Sequence, residues 1–80
     1  DQDSAEVHLR LSAEYVKSGM LSEGLEHSEI AVKKNPKLVD ARLLLGGLYS
    51  TLKVYDKALT QYQEVLKVDP NNSEAPLYIS

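Results

Sequence analysis

Eighty residues allow one small domain, with 42% hydrophobic and 26% charged residues, a balance that excludes disorder. The net charge of −3 carries no electrostatic footprint for nucleic acid, and the longest mostly apolar run, residues 43–49 with two glycines, is far short of the roughly 20 residues of a membrane helix. Cysteine is absent, which removes disulfides, thiolate nucleophiles and cysteine metal sites.

Taken in chain order, the first predicted helix covers residues 4–17, with Asp3 as N-cap and Glu6 as its capping-box partner. Ser18, Gly19 and Met20 make a turn in which Gly19 suits a left-handed C-cap. A second helix over 22–34 stops before Asn35-Pro36. A third spans 38–52, and a fourth runs over 56–67 with Asp56 as N-cap. Asp69-Pro70-Asn71-Asn72 closes that unit, and Ser73 with Glu74 opens a truncated fifth helix whose first turn accommodates Pro76.

These elements repeat. A shift of 34 residues pairs Leu9 with Leu43, Leu11 with Leu45, Tyr15 with Tyr49, Leu25 with Leu59, Lys33 with Lys67 and Pro36 with Pro70. Size is kept where identity is not, as in Ser12 with Gly46 and Gly24 with Ala58. At 100° per residue, Val7, Leu11 and Tyr15 form one stripe of the first helix, and Leu21, Leu25, Ser28 and Val32 form the facing stripe of the second. In the second unit Ala41, Leu45, Leu48 and Leu52 face Tyr55, Leu59, Tyr62 and Leu66. The expected fold is all-α: antiparallel helix-turn-helix repeats stacked as an α-solenoid, one domain over 1–80. Its units are 5–38 and 39–72, with the start of a third at 73–80.

The spacing resembles the tetratricopeptide repeat family, whose unit has the same length. Leu45-Gly46 and Tyr49 are similar to its large-then-small pair and following aromatic, and Tyr55, Ala58, Tyr62 and Pro70 fall where that pattern has an aromatic, a small residue, an aromatic and a proline. In the first unit Leu11-Ser12, Tyr15, Gly19, Ala31 and Pro36 fit. The departures are His8 and Arg42 in a slot usual for Trp or Leu, Gly24 for Ala, Ser28 for the aromatic, and Val65 for Ala. The resemblance implies a superhelix whose concave wall is lined by the first helix of each unit. It implies a non-catalytic module that binds a protein or peptide partner.

On a helical wheel Leu9, Ala13 and Val16 lie opposite the Val7–Leu11–Tyr15 stripe, and Leu43, Leu44 and Gly47 do the same in the second unit. These six are the candidate groove residues. The apolar anchors are Leu9 and Leu43, with room for a guest at Ala13 and Gly47, and the guest is expected to be an extended or helical peptide. Packing against a neighbouring hairpin is the alternative account of this stripe, above all for Leu44. Some family members clamp a terminal carboxylate with Lys, Arg and Asn side chains from this wall. The matching points here hold Leu9, Ala13 and Leu44, so the resemblance implies that this clamp, and with it reception of a chaperone's C-terminal tail, is absent.

No cofactor, metal or catalytic residue is expected. His8 and His27, the only histidines, belong to different helices, with His27 expected on an outer face beside Glu23. Glu23, Glu26 and Glu29 read as a solvated face, Glu29 pairing with Lys33 at i,i+4. Lys33, Lys34 and Lys37 complement a helix C-terminus. Asp69, Asn71 and Ser73 begin like a calcium loop, but its glycine is missing and Glu74 is out of register. Asn71-Asn72-Ser73 is a glycosylation acceptor only in a secreted eukaryotic protein.

Two other expectations stand beside partner binding: weak self-association through an exposed terminal helix bearing Leu77 and Ile79, and regulation of a catalytic domain elsewhere in a longer protein. The start at Asp1 without methionine points to an excised or processed piece, and the cytoplasm is the default location.

Overall fold

The computed structural model describes residues 4–71. Four helices follow one another: α1 (Ala5–Lys17), α2 (Leu21–Lys34), α3 (Val39–Thr51) and α4 (Tyr55–Val68). Consecutive helices pack as neighbours, α1 on α2, α2 on α3 and α3 on α4, and α1 also touches α3. No strand occurs among the described residues. The expected fifth helix lies outside them.

Both hairpins turn by the same device. The Gly19 N–H donates to the Val16 carbonyl at 3.0 Å and the Met20 N–H to the Tyr15 carbonyl at 2.8 Å, closing a Schellman motif with Gly19 at φ 81°. Thirty-four residues on, Lys53 donates to Ser50 at 3.0 Å and Val54 to Tyr49 at 2.8 Å. Here the left-handed position is held by a lysine, Lys53 at φ 65°. The links between units also match. Asn35 Oδ1 accepts from the Lys37 N–H at 3.2 Å and Asp69 Oδ1 from the Asn71 N–H at 3.3 Å, each around a proline.

Helix starts depart from the sequence reading. Ser4 caps α1, its Oγ accepting from the Val7 N–H at 3.3 Å, in the role assigned to Asp3. α4 begins at Tyr55, after Val54, so Asp56 sits in the first turn, where its charge faces the positive end of the dipole.

The core is two clusters in contact with the same side chain. Leu45, Tyr49, Ala58, Tyr62 and Val65 form one, with Leu25 and Val32 of α2 packed on it. Ala5, Ala31 and Ala41 form the other, covered by Leu9, Val32 and Leu38. Val32 thus joins the two repeats.

The stripes expected from periodicity are shifted by one residue in α1. Leu11 is 40% exposed, whereas Ser12 is fully buried and donates to the Gly24 carbonyl at 2.6 Å. Leu52 and Tyr55, expected to face one another in the second hairpin, are 42% and 61% exposed. They stand at its turn, beyond the last buried layer.

Candidate functional site

The six candidate residues lie on α1 and α3, the first helix of each repeat, and all are half-buried. Leu9 packs on the alanine cluster and Leu43 on the larger core, so each gives one flank to the interior. Val16 turns a methyl inward: its Cγ2 would lie 2.6 Å from a Cβ built at Gly24. At Gly47 the situation is reversed. A Cβ there would meet nothing within 4 Å among the described residues. No enclosed pocket occurs among the described residues.

Two polar links were not foreseen from the sequence. His27 does not lie on an outer face beside Glu23. Its Nδ1 is 3.0 Å from Nδ1 of His8, across the α1–α2 seam. The ring centroids are 5.2 Å apart with planes 22° from parallel, so the nitrogens lie between two rings that meet head-on. Such a bond needs one ring protonated at Nδ1 to donate and the other to accept. Tyr15 lies alongside His27, centroids 5.4 Å apart and planes 12° from parallel. The signal was in the repeat: His8 and His27 correspond to Arg42 and Gln61, which are joined at 2.9 Å across the α3–α4 seam.

The second link joins the repeats. Tyr49 donates from its hydroxyl to Glu29 Oε2 at 2.5 Å, the short distance of a charge-assisted bond. Glu29 is therefore more than part of a solvated face. Burial of the phenol, then the bond to Glu29 and the negative charge itself, push the Tyr49 pKa up to about 12. Lys57 Nζ stands 5.7 Å from the centre of the Tyr49 ring.

Among the described residues no three His, Asp or Glu side chains converge as a metal site, and no helix is long and apolar enough to cross a membrane. The Asp69 carboxylate is engaged in its turn.

No family model matches the sequence. Curated relatives do. The chain is 41% identical over 75 residues to a tetratricopeptide repeat domain-containing chloroplastic protein, PYG7, of Arabidopsis thaliana, covering 94% of this chain and 25% of that protein. It is 37% identical over 70 residues to Hsp70-Hsp90 organizing protein 1 of Glycine max, covering 88% of this chain and 12% of the relative. A probable UDP-N-acetylglucosamine–peptide N-acetylglucosaminyltransferase, SEC, of Arabidopsis thaliana is 32% identical over 69 residues, 86% of this chain and 7% of that enzyme. The chain thus spans a quarter or less of the length of these relatives. One of them is named as chloroplastic, so the comparison lends the cytoplasmic expectation no support. Proteins named for different work align with this chain over most of its length, in two units of 34 residues that each fold as the same helix pair, and the chain belongs to the tetratricopeptide repeat family.

Proposed function

We propose that the chain is a non-catalytic protein-interaction segment that receives an extended or helical peptide of a partner protein on the wall formed by α1 and α3. The observation that carries this reading is Gly47. A glycine inside a helix costs about 1 kcal/mol of propensity relative to alanine, yet none of the described residues occupies the space in front of it. Packing among the described residues does not explain it, whereas close approach of a guest backbone does. Leu43 and Leu44 flank it half-buried, and Leu9 and Ala13 stand at the matching points of α1. Relatives named as Hsp70-Hsp90 organizing proteins support a protein as the partner.

The guest differs from a clamped chain terminus. By the resemblance, Leu9, Ala13 and Leu44 stand where the family's carboxylate clamp has Lys, Arg and Asn, so these three points offer apolar contact and no cation for a carboxylate. Anchoring rests on apolar side chains entering beside Gly47 and Ala13.

The test uses Gly47→Arg and Ala13→Arg, which fill the wall. Leu9 and Leu43 are poorer targets because each also packs on a core cluster. Peptides selected from a random library against the full chain should lose at least about tenfold in affinity, roughly 1.4 kcal/mol, on Gly47→Arg with the fold intact. C-terminal peptides of Hsp70 and Hsp90 should bind weakly or not at all. Unchanged binding of the selected peptides by both arginine variants refutes the groove.

A further inference from the structure

The cross-seam link of the first hairpin differs from that of the second in what its atoms can do. In the second, the Arg42 guanidinium donates to the Gln61 side-chain oxygen at 2.9 Å, one fixed donor meeting one acceptor. In the first, His8 and His27 bring the same atom, Nδ1, to within 3.0 Å from opposite sides. Either nitrogen can present a lone pair, and a neutral imidazole nitrogen is a ligand for zinc and copper ions. An ion that holds two such nitrogens at about 2.0–2.1 Å, with an angle between square and tetrahedral, sets them about 2.8–3.4 Å apart. The separation across this seam already lies in that range.

We infer that His8 and His27 form a two-nitrogen chelate for a divalent transition-metal ion such as zinc or copper, which ties α1 to α2. The ion lies beside the line joining the two nitrogens, so each ring swings by roughly 40° from its head-on aim, given metal–nitrogen bonds of about 2.05 Å. The torsion that turns an imidazole on its Cβ is broad, so side-chain rotation supplies most of this swing. The ring that donates the hydrogen bond moves its proton from Nδ1 to Nε2. Both rings stay neutral, and both Nδ1 lone pairs then face the ion. Two protein ligands leave the other coordination positions to water, unlike a closed four-ligand structural centre. The chelate belongs to one hairpin and stands without any guest on the α1–α3 wall.

Titration of the full chain with zinc(II), in a buffer that does not itself ligate metals, tests it. One ion should bind per chain, and the Cε1–H NMR signals of His8 and His27, the only two histidines, should move together. The urea midpoint should rise with zinc concentration, because an ion that prefers the folded chain stabilises it. His8→Gln and His27→Gln should each lower zinc affinity by about tenfold or more. The second hairpin supplies the control: His8→Arg with His27→Gln installs the Arg42–Gln61 link, which should keep the fold and abolish the zinc-dependent rise. If circular dichroism shows the double variant unfolded, the two single glutamine variants carry the comparison. One histidine signal moving without the other overturns the inference. So does a midpoint rise that the variants retain, because binding elsewhere on the surface gives that pattern, and so does the absence of any shift up to about 1 mM zinc.

Discussion

The two repeats share a backbone plan and fill it with different side chains. In the second, Gly46 lies under the ring of Tyr62, and a Cβ on the glycine would come within 2.8 Å of it. In the first, the same places hold Ser12 and Ser28, both fully buried and both satisfied by backbone carbonyls, of Gly24 at 2.6 Å and Leu25 at 2.8 Å. A second exchange runs the other way. Val16 puts its methyl where Gly24 has no side chain, whereas the second unit sets Ser50 and Ala58 at those points. Ser50 Oγ is buried without a hydrogen-bond partner among the described residues. What is kept between units is that neither pair sets two bulky side chains against each other across the seam, together with satisfied backbone groups, so the volume at one point limits the volume tolerated at its partner.

Grafting one unit's residues into the other tests that view, and the largest effects belong to the Tyr62 pair. Tyr62→Ser should cost about 3–5 kcal/mol, from lost burial and an unfilled space. Gly46→Ser alone should cost about 1–3 kcal/mol by overpacking against the ring. The double variant, which recreates the first unit's combination, should lose clearly less than the sum of the two. Urea denaturation of all four proteins gives the coupling directly. Strict additivity would mean that the two positions are independent and the volume argument is wrong.

Next in size is the junction between repeats. Tyr49→Phe removes a hydrogen bond to a charged acceptor and should cost about 1.5–2 kcal/mol, while Tyr15→Phe at the uncovered edge should cost less than half of that. The pH dependence has a definite sign. Tyr49 is raised from its ordinary 10 to about 12 in the folded chain, so its stabilisation is complete below pH 10. It is lost as pH rises from there through about 12, because deprotonation is easier once the chain unfolds. Urea midpoints at pH 9 and pH 11.5 should therefore differ more for wild type than for Tyr49→Phe. Equal differences would remove the phenol from the alkaline transition.

How far the sequence could be read follows from the same comparison. The repeat, its turns and its helix pairs were legible because spacing and turn chemistry are local: Gly19, Pro36 and Pro70 mark their turns unaided. The candidate wall was legible as a face of two helices but not as a surface, because nothing local says that Leu9 and Leu43 each give a flank to a core cluster. Leu11 and Leu45 illustrate the limit. Identical in pattern, they differ more than tenfold in exposure because only one has a helix pair before it among the described residues. Likewise Glu29 and Lys33 suggested a pair along one helix, while the bond formed by Glu29 reaches across to Tyr49 on the next.

The Val16–Gly24 exchange predicts a smaller effect whose sign goes against propensity. Gly24→Ala should gain about 1 kcal/mol of helix propensity, but the new methyl would sit 2.6 Å from Val16 Cγ2 and 3.3 Å from the Ser12 carbonyl oxygen. A valine in a helix has essentially one rotamer and cannot swing aside. The net result should be a loss of about 1 kcal/mol. Adding Val16→Ser, as in the second unit, should restore most of it. A Gly24→Ala protein more stable than wild type would show that the seam can open freely.

The smallest effect isolates backbone conformation from packing. Gly19 and Lys53 hold the same left-handed position in the same Schellman turn, at φ 81° and 65°. A side chain with a Cβ is disfavoured there by about 1–2 kcal/mol, and glycine returns part of that benefit through the greater freedom of its unfolded chain. Lys53 is exposed, so its side chain contributes little packing. Lys53→Gly should therefore stabilise the chain by about 0.5 kcal/mol, and Gly19→Lys should destabilise it by at least as much. Opposite shifts of the urea midpoint in these two variants, with equal slopes, are the expected result. If both were destabilising, the second turn would be held by the lysine side chain and the two turns would not be equivalent.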